Sequence, residues 1–152
     1  MPGPRPATGS GSAARPQSPT VRLLPATPQD ALGCADDVVD ELLEAGRRPG
    51  DVLVLTVGEA HPWQQHELSF GEERYRAQLA EAADVFYADA ADSAVREARR
   101  EVVVLVVNAS GANRAGSAAV RAAGLAGSLL VVCGGTEAVA PLFPGAERPV
   151  PA

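Results

Sequence analysis

Three stretches of this chain carry side chains that could do chemistry. "LTVGEAHPWQQHELSFGEE", residues 55–73, holds both histidines, His61 and His66, with Glu59 and Glu67 nearby and the single tryptophan, Trp63. Two imidazoles beside carboxylates are the donor types of a divalent-metal site. Such a site needs a third positioned ligand, or the H-E-x-x-H spacing that sets two imidazoles on one helix face. Neither occurs here, so no metal is expected. Trp63 is expected to pack the loop over the sheet edge, with the histidines capping or exposed.

"NASGANRAGS", residues 108–117, contains Ser110 among small polar residues. It lacks G-x-S-x-G, G-x-G-x-x-G and an adjacent base, so Ser110 reads as a turn residue, not a nucleophile. In "VRAAGLAGSLLVVCGGTEA", residues 120–138, Cys133 precedes Gly134, Gly135 and Thr136. A helix starting at Thr136 would favour an anion or lower the Cys133 pKa. Cys133 also closes an apolar run, where cysteine behaves as a small buried hydrophobe. That is the reading adopted, and no catalytic residue is assigned.

The elements that must position these groups alternate along the chain. "VRLLP" (21–25) reads as a strand. Thr27 follows as an N-cap, with Pro28 at the first helical position. The next helix places Ala31, Cys34, Ala35, Val38, Val39, Leu42 and Leu43 on one stripe and ends at Gly46. Asp36, Asp37, Asp40, Glu41 and Glu44 fall largely outside that stripe, as a solvated face and not a metal cluster. "DVLVLTVG" (51–58) is a buried-strand run. "GEERYRAQLAEAA" (71–83) is a second amphipathic helix with Tyr75, Leu79 and Ala82 or Ala83 inward. "DVFYAD" (84–89) is a shorter strand and "ADSAVREARR" (91–100) a short helix. "EVVVLVVN" (101–108) is the most apolar strand and is expected at the sheet centre. A helix over 115–126, a strand "SLLVVCG" (128–134) and a helix capped by Thr136 complete the series. Strands alternating with helices predict an α/β three-layer sandwich around a mainly parallel sheet of four or five strands.

Composition narrows the function classes. All 13 basic residues are arginines, and without lysine there is no phosphate-loop lysine, Schiff base or lysine base. A formal net charge of −6 disfavours nucleic acid as a partner of the isolated domain. Two cysteines, Cys34 and Cys133, make neither a disulfide framework nor a zinc site. No apolar leader or membrane-length run occurs, so a cytoplasmic protein is expected. Residues 1–19, rich in Pro, Gly, Ser and Ala, are expected to be a disordered tail. A single domain over 20–143 and a short tail over 144–152 follow.

The order and spacing of "VRLLPATPQDALGCADDVVDELLEAGRRPGDVLVLTVGEAHP", "DVFYADA", "VVVLVVN" and "LLVVCGG" resembles the second RecA-like domain of UvrD-type superfamily 1 DNA helicases. The likeness is nearest to an actinobacterial branch and covers about residues 21–142. In that family the domain follows an ATP-binding first domain, and the pair moves along DNA as ATP turns over. The resemblance implies a RecA-like half, here without a phosphate loop. It also implies that Thr56, Gly58 and Glu97 mark any residual nucleotide contact.

The departures from the family pattern fall on charged positions. Where the family has a "GFKGLE"-like segment, this chain reads "DSAVREA" (92–98), keeping Glu97 alone. Where it has "GLSRARDLLVV", whose arginine reaches the γ-phosphate, this chain reads "AAGLAGSLLVV" (122–132), with Leu125 near the arginine position. An arginine finger contributes roughly 10³–10⁵ in rate where it is used. The family's "GD" pair has become Gly134-Gly135. A non-catalytic, degenerate helicase-like module is therefore expected, with ATP not required as a cofactor. Its expected partner is an intact helicase-like protein or a second copy. Arg96, Arg99 and Arg100 are read as a solvated helix end complementing its dipole. The alternative is a small α/β enzyme or ligand-binding protein using the 58–71 loop with His61, His66 and Cys133. A decayed product with no selected role is a third reading.

Overall fold

In the computed structural model, residues 19–27, 29–58, 69, 71–81, 85–90, 95, 99–108 and 114–147 are described. Five strands form one sheet: β1 (Thr20–Leu24), β2 (Val52–Val57), β3 (Phe86–Asp89), β4 (Arg100–Val107) and β5 (Ala126–Cys133). They lie in the order β1-β5-β4-β2-β3, and every neighbouring pair is parallel. Among the described residues the α-helices are α1 (Ala31–Glu44), α2 (Glu72–Glu81), α3 (Ala115–Leu125) and the single turn α4 (Thr136–Val139).

Parallel strands covered on both faces must be apolar on both faces, and the sequence supplies this as Val and Leu runs. Val102–Val107 of β4 are all buried at the sheet centre, as are all six residues of β2. Each such fully buried Val or Leu contributes about 1.5–3 kcal/mol relative to exposure. Alternation divides the side chains between two layers. Val52, Val54, Val102, Val104, Val106, Leu129, Val131 and Cys133 meet Ala31, Ala35, Val38, Val39 and Leu42 of α1. Leu53, Leu55, Val57, Val103, Leu105, Leu130 and Val132 meet Ala115, Ala118, Ala119, Ala122 and Leu125 of α3. The α/β sandwich is thus present, with α1 on one face and α3 on the other.

The β1-to-β2 connection crosses the sheet in one direction over α1, and β4-to-β5 returns in the other over α3. Reversing direction and face together keeps one hand, as parallel crossovers require.

Helix α1 buries the expected stripe, with Cys34 and Leu43 half-buried and the five acidic residues exposed. Its start differs from the sequence reading. The N-cap is Asp30, one turn later than expected, and Thr27 instead accepts the Asp30 N–H through Oγ1 at 3.2 Å. The last helix differs too: its N-cap is Gly135 in the left-handed region (φ 61°), and Thr136 is already inside the turn. A threonine Cβ disfavours that conformation, whereas glycine adopts it freely.

The arginine cluster needs a correction. Arg100 is the first residue of β4, 7 % exposed, and donates to the Val52 carbonyl at 3.1 Å and the Leu79 carbonyl at 3.2 Å. It ties β2 to α2 at the amino edge of the sheet and is not solvated. Beside it, β4 advances from Arg100 to Val102 while β5 advances from Ala126 to Leu129, a bulge with one extra β5 residue. Exposed Arg99 donates to the Gly124 carbonyl at 3.0 Å, so it complements the carboxyl end of α3, not a helix of its own. Arg96 lies outside the described residues, as does all of 91–98 except Val95.

The expected tail also begins inside the fold. Glu147 exchanges backbone hydrogen bonds with β1: its N–H donates to Val21 at 2.7 Å, and its carbonyl accepts from Leu23 at 2.8 Å. The Arg22–Glu147 ion pair, at 3.5 Å, lies across the same contact.

Candidate functional site

Ligand sites in parallel α/β sheets form where neighbouring strands send their outgoing loops to opposite faces. Here β1 leads to α1 on one face, and its neighbour β5 leads to α4, whose Val139 is buried on the other. The loops part around an open cleft of ≈ 770 Å³ lined by Pro25, Ala26, Thr27, Gly135, Thr136, Glu137 and Ala138. That volume is within the usual range for small-molecule sites.

The floor of the cleft is the Gly134–Gly135 turn. Gly134 has φ 83° and donates its N–H to the Leu24 carbonyl at 3.0 Å. A Cβ at Gly134 would stand 2.6 Å from the Val107 carbonyl oxygen and 3.3 Å from Cβ of Ala31. A Cβ at Gly135 would stand 2.8 Å from Cγ1 of Val107. Both glycines are thus required by close approach to β4 as well as by backbone conformation. Where the resemblance places an aspartate at the second position, this packing leaves no room for one.

Electrostatically the cleft suits no phosphate. Among the described residues lining it there is no arginine, and its one charged side chain is Glu137. The thiol beneath is shielded from solvent. Cys133 is fully buried, and burial pushes its pKa well above the usual thiol range. The Cys34 thiol pushes in the same direction. The reading of Cys133 as a small buried hydrophobe holds, and α4 is too short to present an aligned dipole to it.

A second, smaller hollow of ≈ 90 Å³ opens where β2 and β3 end, lined by Val57, Asp89, Ala90, Arg114, Ser117, Ala118 and Arg121. Arg114, Ser117 and Arg121 fall on one face at the start of α3, and Arg121 donates to the Ala90 carbonyl at 2.8 Å. The volume of the hollow is about an eighth of that of the cleft. These arginines were invisible in the sequence as a group, because only the sheet order brings α3 over the end of β3.

Of the residues matched to the helicase family, Thr56 and Gly58 are among those described. Thr56 is fully buried, and its hydroxyl donates to the Ala88 carbonyl of β3 at 3.4 Å. Gly58 follows β2 with φ 117°, half-buried. Glu97, His61, Trp63, His66 and Ser110 lie outside the described residues, so the 58–71 loop is placed only at its ends. Leu125 is buried against the sheet at the last position of α3. Among the described residues no three His, Cys, Asp or Glu side chains group as a metal site, and no helix is long and apolar enough to cross a membrane.

Comparison with protein families, curated proteins and solved structures returned no match.

Proposed function

We propose that this chain is a non-catalytic binding module, a degenerate relative of the RecA-like second domain of UvrD-type helicases. In this reading the cleft between β1 and β5 receives a polypeptide, from a helicase-like partner or a second copy of the chain. The observation that carries the proposal is the lining of that cleft: among the described residues, neutral side chains and one carboxylate, which offer a polypeptide a surface and a triphosphate no cation. Lysine is absent from all 152 residues. Leu125, near the place where the family carries its γ-phosphate arginine, is turned into the core. A buried leucine cannot stabilise charge developing on a transferring phosphoryl group. The enzyme reading built on Cys133 loses support because that thiol is sealed from solvent and held protonated.

The test pairs two measurements on the purified chain. Magnesium-ATP is expected to give neither turnover above buffer nor a saturable shift in thermal midpoint. A photo-cross-linking residue at Ala138, in the cleft, is expected to capture a RecA-like protein or a second copy. The same probe at Glu44, on the acidic face of α1, is expected to capture neither. ATP hydrolysis by the chain alone, or equal capture from both positions, overturns the proposal.

A further inference from the structure

The two cysteines are separated by nearly a hundred residues, and their spacing carries no motif. The fold brings them together. Cys133 is the last residue of β5 and faces the α1 layer, where Cys34 packs against the same buried cluster. Neighbouring positions meet in the same way: Ala31, one turn before Cys34, would lie 3.3 Å from a Cβ on Gly134. Cys34, three residues on in the same helix, thus packs on the layer that Cys133 closes. Their exposure is unequal, Cys34 half-exposed and Cys133 buried.

We infer that Cys34 and Cys133 are a redox-modifiable pair, in which Cys34 meets a small disulfide from solvent and Cys133 resolves it into an intramolecular disulfide. This does not depend on the binding-module reading. The oxidant is a low-molecular-weight disulfide of the glutathione class. The Cys34 thiolate attacks one of its sulfurs, forming a mixed disulfide and expelling one small thiolate. Cys133 then gives up its proton, and its sulfur attacks that of Cys34, expelling the second small thiolate. Two protein thiols are oxidised to one cystine, and one small disulfide is reduced to two thiols. Because Cys133 is buried, the second step is the slower, and the Cys34 adduct accumulates before it decays. The product staples the first half of α1 to the end of β5, under the floor of the cleft.

The experiment equilibrates the full chain with reduced and oxidised glutathione at mildly alkaline pH until its mass stops changing. The wild type is expected to end as a monomer lighter by two hydrogen atoms, without adduct. Both thiols should then resist maleimide in denaturant, and dithiothreitol should restore them. A non-reduced digest should link the Cys34 peptide to the Cys133 peptide. Cys133→Ser should stop at a stable adduct on Cys34, and Cys34→Ser should remain reduced. A wild type that ends with a lasting Cys34 adduct and a free Cys133, with two free thiols, or as a disulfide-linked dimer overturns the inference. The digest of the wild type decides the matter even where a serine variant fails to fold.

Discussion

Gly135 rests against the side chain of Val107, so close that a Cβ on the glycine would be 2.8 Å from Cγ1 and 2.9 Å from Cβ of the valine. This contact joins the turn after β5 to the end of β4 and sets the floor of the cleft. Gly135→Ala is expected to destabilise by about 2–4 kcal/mol, from overpacking and the left-handed conformation together. Val107→Ala removes Cγ1 and Cγ2 and so relieves part of the clash, leaving the Cβ contact at 2.9 Å. In the double variant the two costs should therefore sum to less than their separate values, measured from denaturant midpoints.

Arg100 donates to two carbonyls, those of Val52 and Leu79. Arg100→Met keeps the apolar stem and leaves both acceptors without the guanidinium. A loss of about 2–4 kcal/mol in unfolding free energy is expected, given the strength of charge-assisted bonds and the cost of unpaired buried acceptors. Arg100→Lys should recover only part of it, because one ammonium cannot span two diverging carbonyls as a planar fork does. Arg99→Met, whose parent is exposed, should cost under about 1 kcal/mol and serves as the control.

Cys133 makes stability fall at alkaline pH. In the folded chain its thiol stays protonated far above the usual range, whereas in the unfolded chain it ionises near pH 8.5. Above that pH the unfolded state binds one proton fewer than the folded state, so raising the pH favours unfolding. The stabilisation is complete below the unfolded-state value and is lost through the window up to the raised folded value. The expected slope from this group approaches about −1.4 kcal/mol per pH unit. Cys133→Ala should remove that slope, seen by comparing pH-dependent unfolding midpoints of the two proteins under reducing conditions.

Leu125 closes α3 inside the core, 4 % exposed. Leu125→Arg, which restores the residue type of the resembled family, would bury a cation without a described partner. The expected outcome is destabilisation on the order of 3–5 kcal/mol, with no gain of ATP hydrolysis. Circular dichroism melts and a phosphate-release assay check the two halves separately. A stable variant that turns over ATP would show that the position faces a site and not the core.

The local elements were legible in the residues alone. Valine and leucine runs made β2, β4 and β5 readable because a strand covered on both faces has no polar position, and a stripe every three to four residues exposed α1. Strand and helix limits moved by only a few residues, since caps and strand ends depend on close local fits such as the left-handed turn at Gly135. Within α1 the acidic side chains lie where the stripe leaves them, in solvent. These are properties of near neighbours in the chain, which is why the order of amino acids determines them.

Everything that makes the cleft was decided between distant segments. The pairing of β1 with β5 joins Thr20 to Leu129 and Leu24 to Cys133, and no local pattern encodes that adjacency. It creates the point where the loops part and carries α1, with Cys34, over the end of β5, while the pairing of β4 with β5 presses Gly135 onto Val107. The burial of Arg100 has the same origin, because its two acceptors come from β2 and α2. A side chain's periodicity states which face it occupies, but its partner across the sheet depends on how the whole set of apolar faces is closed. Tertiary packing therefore chose the site, while the sequence supplied the walls from which it is built.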